Sequence, residues 1–174
     1  FATGSANIAV PAGTYHVWLK KDLSVYKFTA AAGGSTFEPQ ASQWGIVGQV
    51  NGWAAPDITM YTTPTADLFV AKNVAMPAGP FKVRANNEWN DAKNYGLEMA
   101  GKVYADSYYS VITGGGSQNV TPMVYGTYDV YFDLANKRVA LVTPGKEYAD
   151  ATNGGDPIVV IEGLKEHAWG LVGS

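Results

Sequence analysis

Between Gly126 and Thr143 the chain reads GTYDVYFDLANKRVALVT. Tyr128, Val130, Phe132 and Leu134 fall on one face of an extended strand, with Asp129, Tyr131 and Asp133 on the other. The turn residues LANK follow, and a second extended run from Arg138 to Thr143 returns, so the stretch predicts an antiparallel hairpin. GTYHVWLKKDLSVYKF near the start repeats the design, with Tyr15, Val17 and Leu19 expected inward and His16, Trp18 and Lys20 outward. Further strands are expected at Trp44 to Val50, Leu68 to Met76, Phe81 to Asn86, Ser107 to Thr113 and Asn119 to Thr121. Gly, Pro, Asn and Asp punctuate these runs, and no long helical period interrupts them. The fold class is therefore all-β. Strands at this spacing are expected to pack as two antiparallel sheets, a β-sandwich.

Two echoes organise the chain. QWGIVGQ at Gln43 returns as AWGLVGS at the C-terminus, and GSANIAVPAGTYHVWL returns as GSQNVTPMVYGTYDVYF. The spacing of each echo matches one ordinary domain of about 100–150 residues rather than a solenoid unit. The expected organisation is a tandem array: 1–29 as the last strands of one repeat, 30–42 as a linker, 43–143 as a complete domain, 144–167 as a second linker and 168–174 as the first strand of a further repeat. Both linkers are rich in small, polar and turn residues. The short apolar run Ile158 to Glu162 is assigned to the second linker or to a sheet edge.

A formal net charge of −3 and a pI near 5.3 supply no basic surface, which argues against nucleic acid as a partner. With no cysteine, disulfides and thiolate metal sites are unavailable. No apolar run approaches the roughly 20 residues of a membrane helix.

Residues for catalysis are sparse. His16 and His167 are the only histidines and lie at the ends, so the central domain lacks a His-based triad or metal site. Glu88, Asp91 and Asp106 sit in turn-rich sequence, where solvated acids are the simpler reading than a glycosidase pair. TGGGSQN lacks the Lys-Ser/Thr of a phosphate loop. Asn90, Asp91 and Asn94 offer clustered oxygens, but an Asx-stabilised turn is the better-supported reading. No enzyme, cofactor or metal is expected.

The informative stretch is FKVRANNEWNDAKNYG. Alternation sends Phe81, Val83 and Ala85 inward and places Lys82, Arg84 and Asn86 in a row expected to face solvent. Such donors suit a ligand with many neighbouring hydroxyls. A sugar also has an apolar C–H face that an exposed aromatic ring can cover. Trp53, which follows the Asn51-Gly52 turn, and Trp89, directly after the Lys82/Arg84 strand, are the expected platforms. Tyr61 and Tyr95 are secondary, and Trp44, opening an alternating strand, is expected in the core.

WGIVGQVNGW, FKVRANNEWNDAKNYG and GTYDVYFDLANKRVALV, in this order and spacing, resemble the repeated C-terminal domains of SusE/SusF-type starch-binding surface lipoproteins of Bacteroidetes. The resemblance spans Trp44 to Val142. It implies Ig-like or starch-binding-domain-like sandwiches strung on an outer-membrane lipoprotein. These would hold polysaccharide, α-glucan above all, without cleaving it, beside other glycan-uptake proteins of the outer membrane. It also implies that Trp53 stacks on sugar and that Lys82, Arg84 and Trp89 occupy the binding region. A different class of function is a structural spacer or assembly subunit joined to other chains by strand exchange, motivated by the incomplete repeats at each end.

Overall fold

The structure, a computed structural model, describes residues 15–19, 26–30, 37–76 and 79–159. The chain divides into two compact units, Phe1–Glu38 and Pro39–Ser174. In the first, β1 (Tyr15–Leu19) pairs antiparallel with β2 (Tyr26–Ala30), the expected hairpin. Val17, expected inward, is exposed, as is Trp18. The C-terminal strand expected at 168–174 and the echo before Gly13 lie outside the described residues.

In the second unit the strands are β3 (Ala41–Gly48), β4 (Ile58–Thr62), β5 (Leu68–Met76), β6 (Phe81–Ala85), β7 (Asn94–Leu97), β8 (Lys102–Val103), β9 (Ser107–Thr113), β10 (Thr121–Pro122), β11 (Gly126–Asp133), β12 (Arg138–Val142) and β13 (Thr152–Asn153). Eight of them form one sheet in the order β12-β11-β5-β4-β3-β6-β7-β9, and β12 also pairs with β9. The antiparallel sheet therefore closes on itself. The described strands thus form a closed, barrel-like sheet rather than plainly the two stacked sheets expected: backbone pairing continues around the core, and closure removes most free edges.

The alternation read from the sequence sets the inside of this barrel. Val130 and Phe132 point into the main core with Ile46, Met60, Phe81, Val83, Leu97, Val111 and Leu141. Trp44 stands at its centre, 5.0 Å from Phe132 and 5.6 Å from Tyr95 between ring centres. Tyr95, considered for ligand stacking, is thus a core residue. Eight strands leave an interior that side chains of this size fill completely.

The outer face of β5, β11 and β12 is covered as well. Tyr131, Ala140, Val142, Leu68 and Val70 form a second cluster, against which Tyr108, Tyr148 and Ala151 pack. The Tyr148 hydroxyl donates to Asp133 at 2.9 Å, the Tyr131 hydroxyl donates to Glu147 at 3.1 Å, and β13 adds in parallel to β9. Within the expected linker 144–167, Tyr148 and Ala151 pack on this face and Glu147 supplies the hydroxyl partner of Tyr131, which lies on the polar face of its strand. Ile158, the first residue of the apolar run, exchanges two backbone hydrogen bonds with Lys102; the run beyond Val159 lies outside the described residues. At the other boundary β3 starts at Ala41, two residues inside the expected linker.

Candidate functional site

Two loops leave the antiparallel neighbours β3 and β6 at opposite ends and meet over the outer face of β6. The first joins β3 to β4. The side-chain carbonyl of Asn51 accepts from the Gly48 amide at 2.9 Å, and its amide group donates to the carbonyls of Ala54 and Pro56. Gly52 and Trp53 both take left-handed backbone conformations, φ 65° and 62°. Glycine accepts that region freely, whereas a tryptophan there is uncommon and held by its surroundings. Here the Trp53 N–H donates to the Gly48 carbonyl at 2.8 Å, and Asn51 pins both flanks.

The second loop joins β6 to β7. Asn86 and Asn87, φ 58° and 59°, form the two central residues of a tight turn closed by Glu88 N–H on Ala85 C=O. Asparagine is the non-glycine residue best suited to that backbone. Asn87 then reaches the first loop, its side-chain oxygen accepting from the Asp57 amide at 2.7 Å. Asn90 accepts from the Ala92 amide, the Asx turn expected there.

Between the loops lies a buried ion pair. Arg84 donates from Nε and Nη2 to the two carboxylate oxygens of Asp57 at 2.8 and 2.7 Å, and both side chains are almost fully buried. Gly45, directly opposite Arg84 on β3, makes room: a Cβ there would stand 2.6 Å from Cβ of Asp57. On top of the pair sits Trp89, with the Arg84 guanidinium carbon 4.4 Å from its ring centre. Trp53 stacks beside Trp89, ring centres 6.2 Å apart and planes inclined by 27°. Trp89 remains 55% exposed and Trp53 half-buried.

The row of free donors expected on β6 is corrected by this geometry. Every residue of Phe81–Ala85 is buried. The inward face meets the core, and the outward face is roofed by loops. Arg84 is spent on Asp57. The Lys82 ammonium is enclosed beneath the 114–118 loop, donating to the carbonyl and hydroxyl oxygens of Ser117 at 2.7 and 2.9 Å. Burial pushes its pKa down, with the Asp91 charge partly opposing the shift. That loop continues into residues 118–120, which bond to Leu97 and Phe81 where β6 and β7 part. Asn86 lies in the turn and its backbone N–H donates to Gln43 C=O. Tyr61 is 44% exposed but belongs to a separate groove between β4 and β5.

Of the six expected binding residues, then, the structure unites Trp53, Trp89 and Arg84, the last as a support. Asp57, Asn51 and Asn87 complete the assembly and were not singled out in the sequence. Asn51 and Asn87 carried a turn signal, whereas nothing local marks Asp57, whose partner lies 27 positions away. No protein-family model and no curated protein matches this chain.

Proposed function

We propose that the barrel is a non-catalytic polysaccharide-binding module in which Trp53 and Trp89 form the stacking surface. The observation that carries this reading is the paired, partly open indoles held on a buried Arg84–Asp57 support. Adjacent, partly exposed indoles in a globular protein invite an apolar partner. Covering roughly 100 Å² of indole with the C–H face of a sugar, at about 25 cal/mol per Å², contributes about 2.5 kcal/mol. Because two linked loops hold the rings before any ligand arrives, little ordering cost offsets that gain.

The resemblance to SusE/SusF-type domains supports α-glucan as the ligand, the outer surface of the outer membrane as the location, and repetition of such units in tandem as the context. Their Ig-like or starch-binding-domain-like sandwich belongs to the same proposal. A closed β-barrel supplies what that role needs, a rigid base presenting loops. Weak sites on one chain gain avidity from tethering, which at millimolar effective concentration multiplies affinity by about 10²–10⁴.

Affinity electrophoresis through starch, pullulan, dextran and xylan tests the reading. Retardation on starch or pullulan, abolished in Trp89→Ala and Trp53→Ala, is the expected result. Mobility unchanged on all four polysaccharides defeats it.

A further inference from the structure

The barrel wall is not uniformly sealed. β4 and β5 pair only at Tyr61↔Val70 and Thr62↔Phe69. The N–H of Thr62 bonds to Gln40 on the β3 side, and that of Thr63 bonds to Leu68 on the β5 side. Odd-numbered residues of β4 therefore turn their backbone groups toward β5. On β5, the Asp67 carbonyl accepts from Leu134 of the β11 connection, so even-numbered residues face β4. The next pair to exchange bonds would be Thr59 with Lys72, and it does not form.

Two causes hold the seam open. A register shift opposite Asp129 puts an extra residue into β5 at Lys72–Asn73, where Asn73 has φ 53° and donates its N–H to the Asp129 carboxylate at 2.7 Å. Such a bulge bends its strand. Immediately before β4, Asp57 is held by Arg84 of β6, on the side of β3 away from β5. Between the diverging strands lies a groove of about 560 Å³ lined by Thr59, Tyr61, Val70, Lys72, Ile58 and Pro39.

The chemistry of the groove narrows its occupant. A strand adding here would meet the bulge and a lysine, two of the devices by which sheet edges avoid pairing. An anion is disfavoured too: the Lys72 ammonium already lies 3.0 Å from Asp129 and 4.0 Å from Glu147, so two carboxylates face one cation. Lys72 uses two N–H groups, on Asp129 and on the Tyr131 hydroxyl at 2.9 Å, and its third has no partner within hydrogen-bond distance among the described residues. What remains is an exposed phenol ring, one ammonium N–H, the Thr59 hydroxyl and the backbone groups of Thr59 and Lys72. The volume falls in the range of small-ligand sites, roughly 300–1,000 Å³.

We infer that this groove is a second binding site, separate from the Trp53–Trp89 platform, for a neutral oligosaccharide. The Tyr61 ring covers a sugar face while Lys72 and Thr59 bond to hydroxyls. The ligand class rests on the glycan reading of the platform.

The test is an NMR titration of the full chain with maltohexaose, xylohexaose and laminarihexaose in turn. With at least one sugar, the amide resonances of Thr59, Tyr61 and Lys72 are expected to shift, as are the indole N–H signals of Trp53 and Trp89. In Tyr61→Ala and in Lys72→Met, binding read at the groove weakens at least tenfold while the indole response persists. Shifts confined to the indoles for all three sugars overturn the second site and leave the platform standing. Shifts confined to the groove support the second site and overturn the platform, and no shift at either place overturns both.

Discussion

The guanidinium carbon of Arg84 lies 4.4 Å from the centre of the Trp89 ring. The same guanidinium is locked in plane by two hydrogen bonds to Asp57, so the orientation of an exposed tryptophan is set by a buried ion pair. A cation against an indole face contributes about 0.5–2 kcal/mol, more where water is excluded. Its larger effect here is to fix where the ring stands.

Arg84→Met leaves the Asp57 carboxylate buried without its partner, and a loss of about 3–5 kcal/mol is expected. Arg84→Met combined with Asp57→Leu removes both charges and recovers a substantial part of that loss. Urea unfolding of the two single variants and the double variant checks this. Equal losses in single and double variants would show that the pair is not the supporting element.

Trp53→Gly removes the indole and relieves a left-handed backbone, so it is expected to be more stable than Trp53→Ala by about 1 kcal/mol. Both variants lose retardation on the polysaccharide gel. Thermal unfolding beside electrophoresis separates the two effects, and a Trp53→Gly protein less stable than Trp53→Ala contradicts the geometry of the loop.

Gly45→Ala places a methyl group 2.6 Å from Cβ of Asp57 and 3.2 Å from the Ile58 carbonyl oxygen. Overpacking of this kind costs about 1–3 kcal/mol. Because the displaced residue is Asp57, the near-ultraviolet circular dichroism of the tryptophans should change as well. An unaltered spectrum with wild-type stability would be the adverse result.

Asp106 accepts from Lys146 Nζ at 2.6 Å and from the Thr143 amide at 2.8 Å, and these contacts, the Lys146 hydrogen bond first, hold its pKa below the ordinary 3.8. A depressed folded pKa means that the contribution is fully present above the unfolded value and is lost as pH falls below it. Asp106→Asn should therefore flatten the acid side of the stability profile below pH 3.8 relative to wild type. Denaturant titrations across that range measure the slope, and identical acid limbs count against the assignment.

Lys82→Met is expected to leave polysaccharide retardation unchanged, since the ammonium is enclosed under Ser117 and reaches no open surface. Loss of binding in this variant, with stability retained, would return Lys82 to the ligand-contacting set.

Much of the architecture is legible without coordinates. Leu68–Met76 and Ser107–Thr113 begin and end where their apolar runs do, and the β11–β12 hairpin follows its alternation residue by residue. The short β4 and β7 escape that reading. Asn94–Leu97, entirely buried, has no polar alternation to reveal it. The placement of Trp44 inside and of Trp53 and Trp89 on loops also follows from local pattern.

Alternation states which residues share a face of a strand; it does not state what lies over that face. Lys82 and Arg84 do leave the core side of β6 as their spacing requires, yet both are buried because loops distant in the chain fold over them. Sheet closure is of the same kind, since the β12–β9 pairing joins segments whose patterns are equally compatible with two stacked sheets. Side-chain periodicity is a property of a few consecutive residues and can be read from them. Covering layers, ion-pair partners and ring closure depend on contacts between segments far apart in the chain, and these exist only once it has folded.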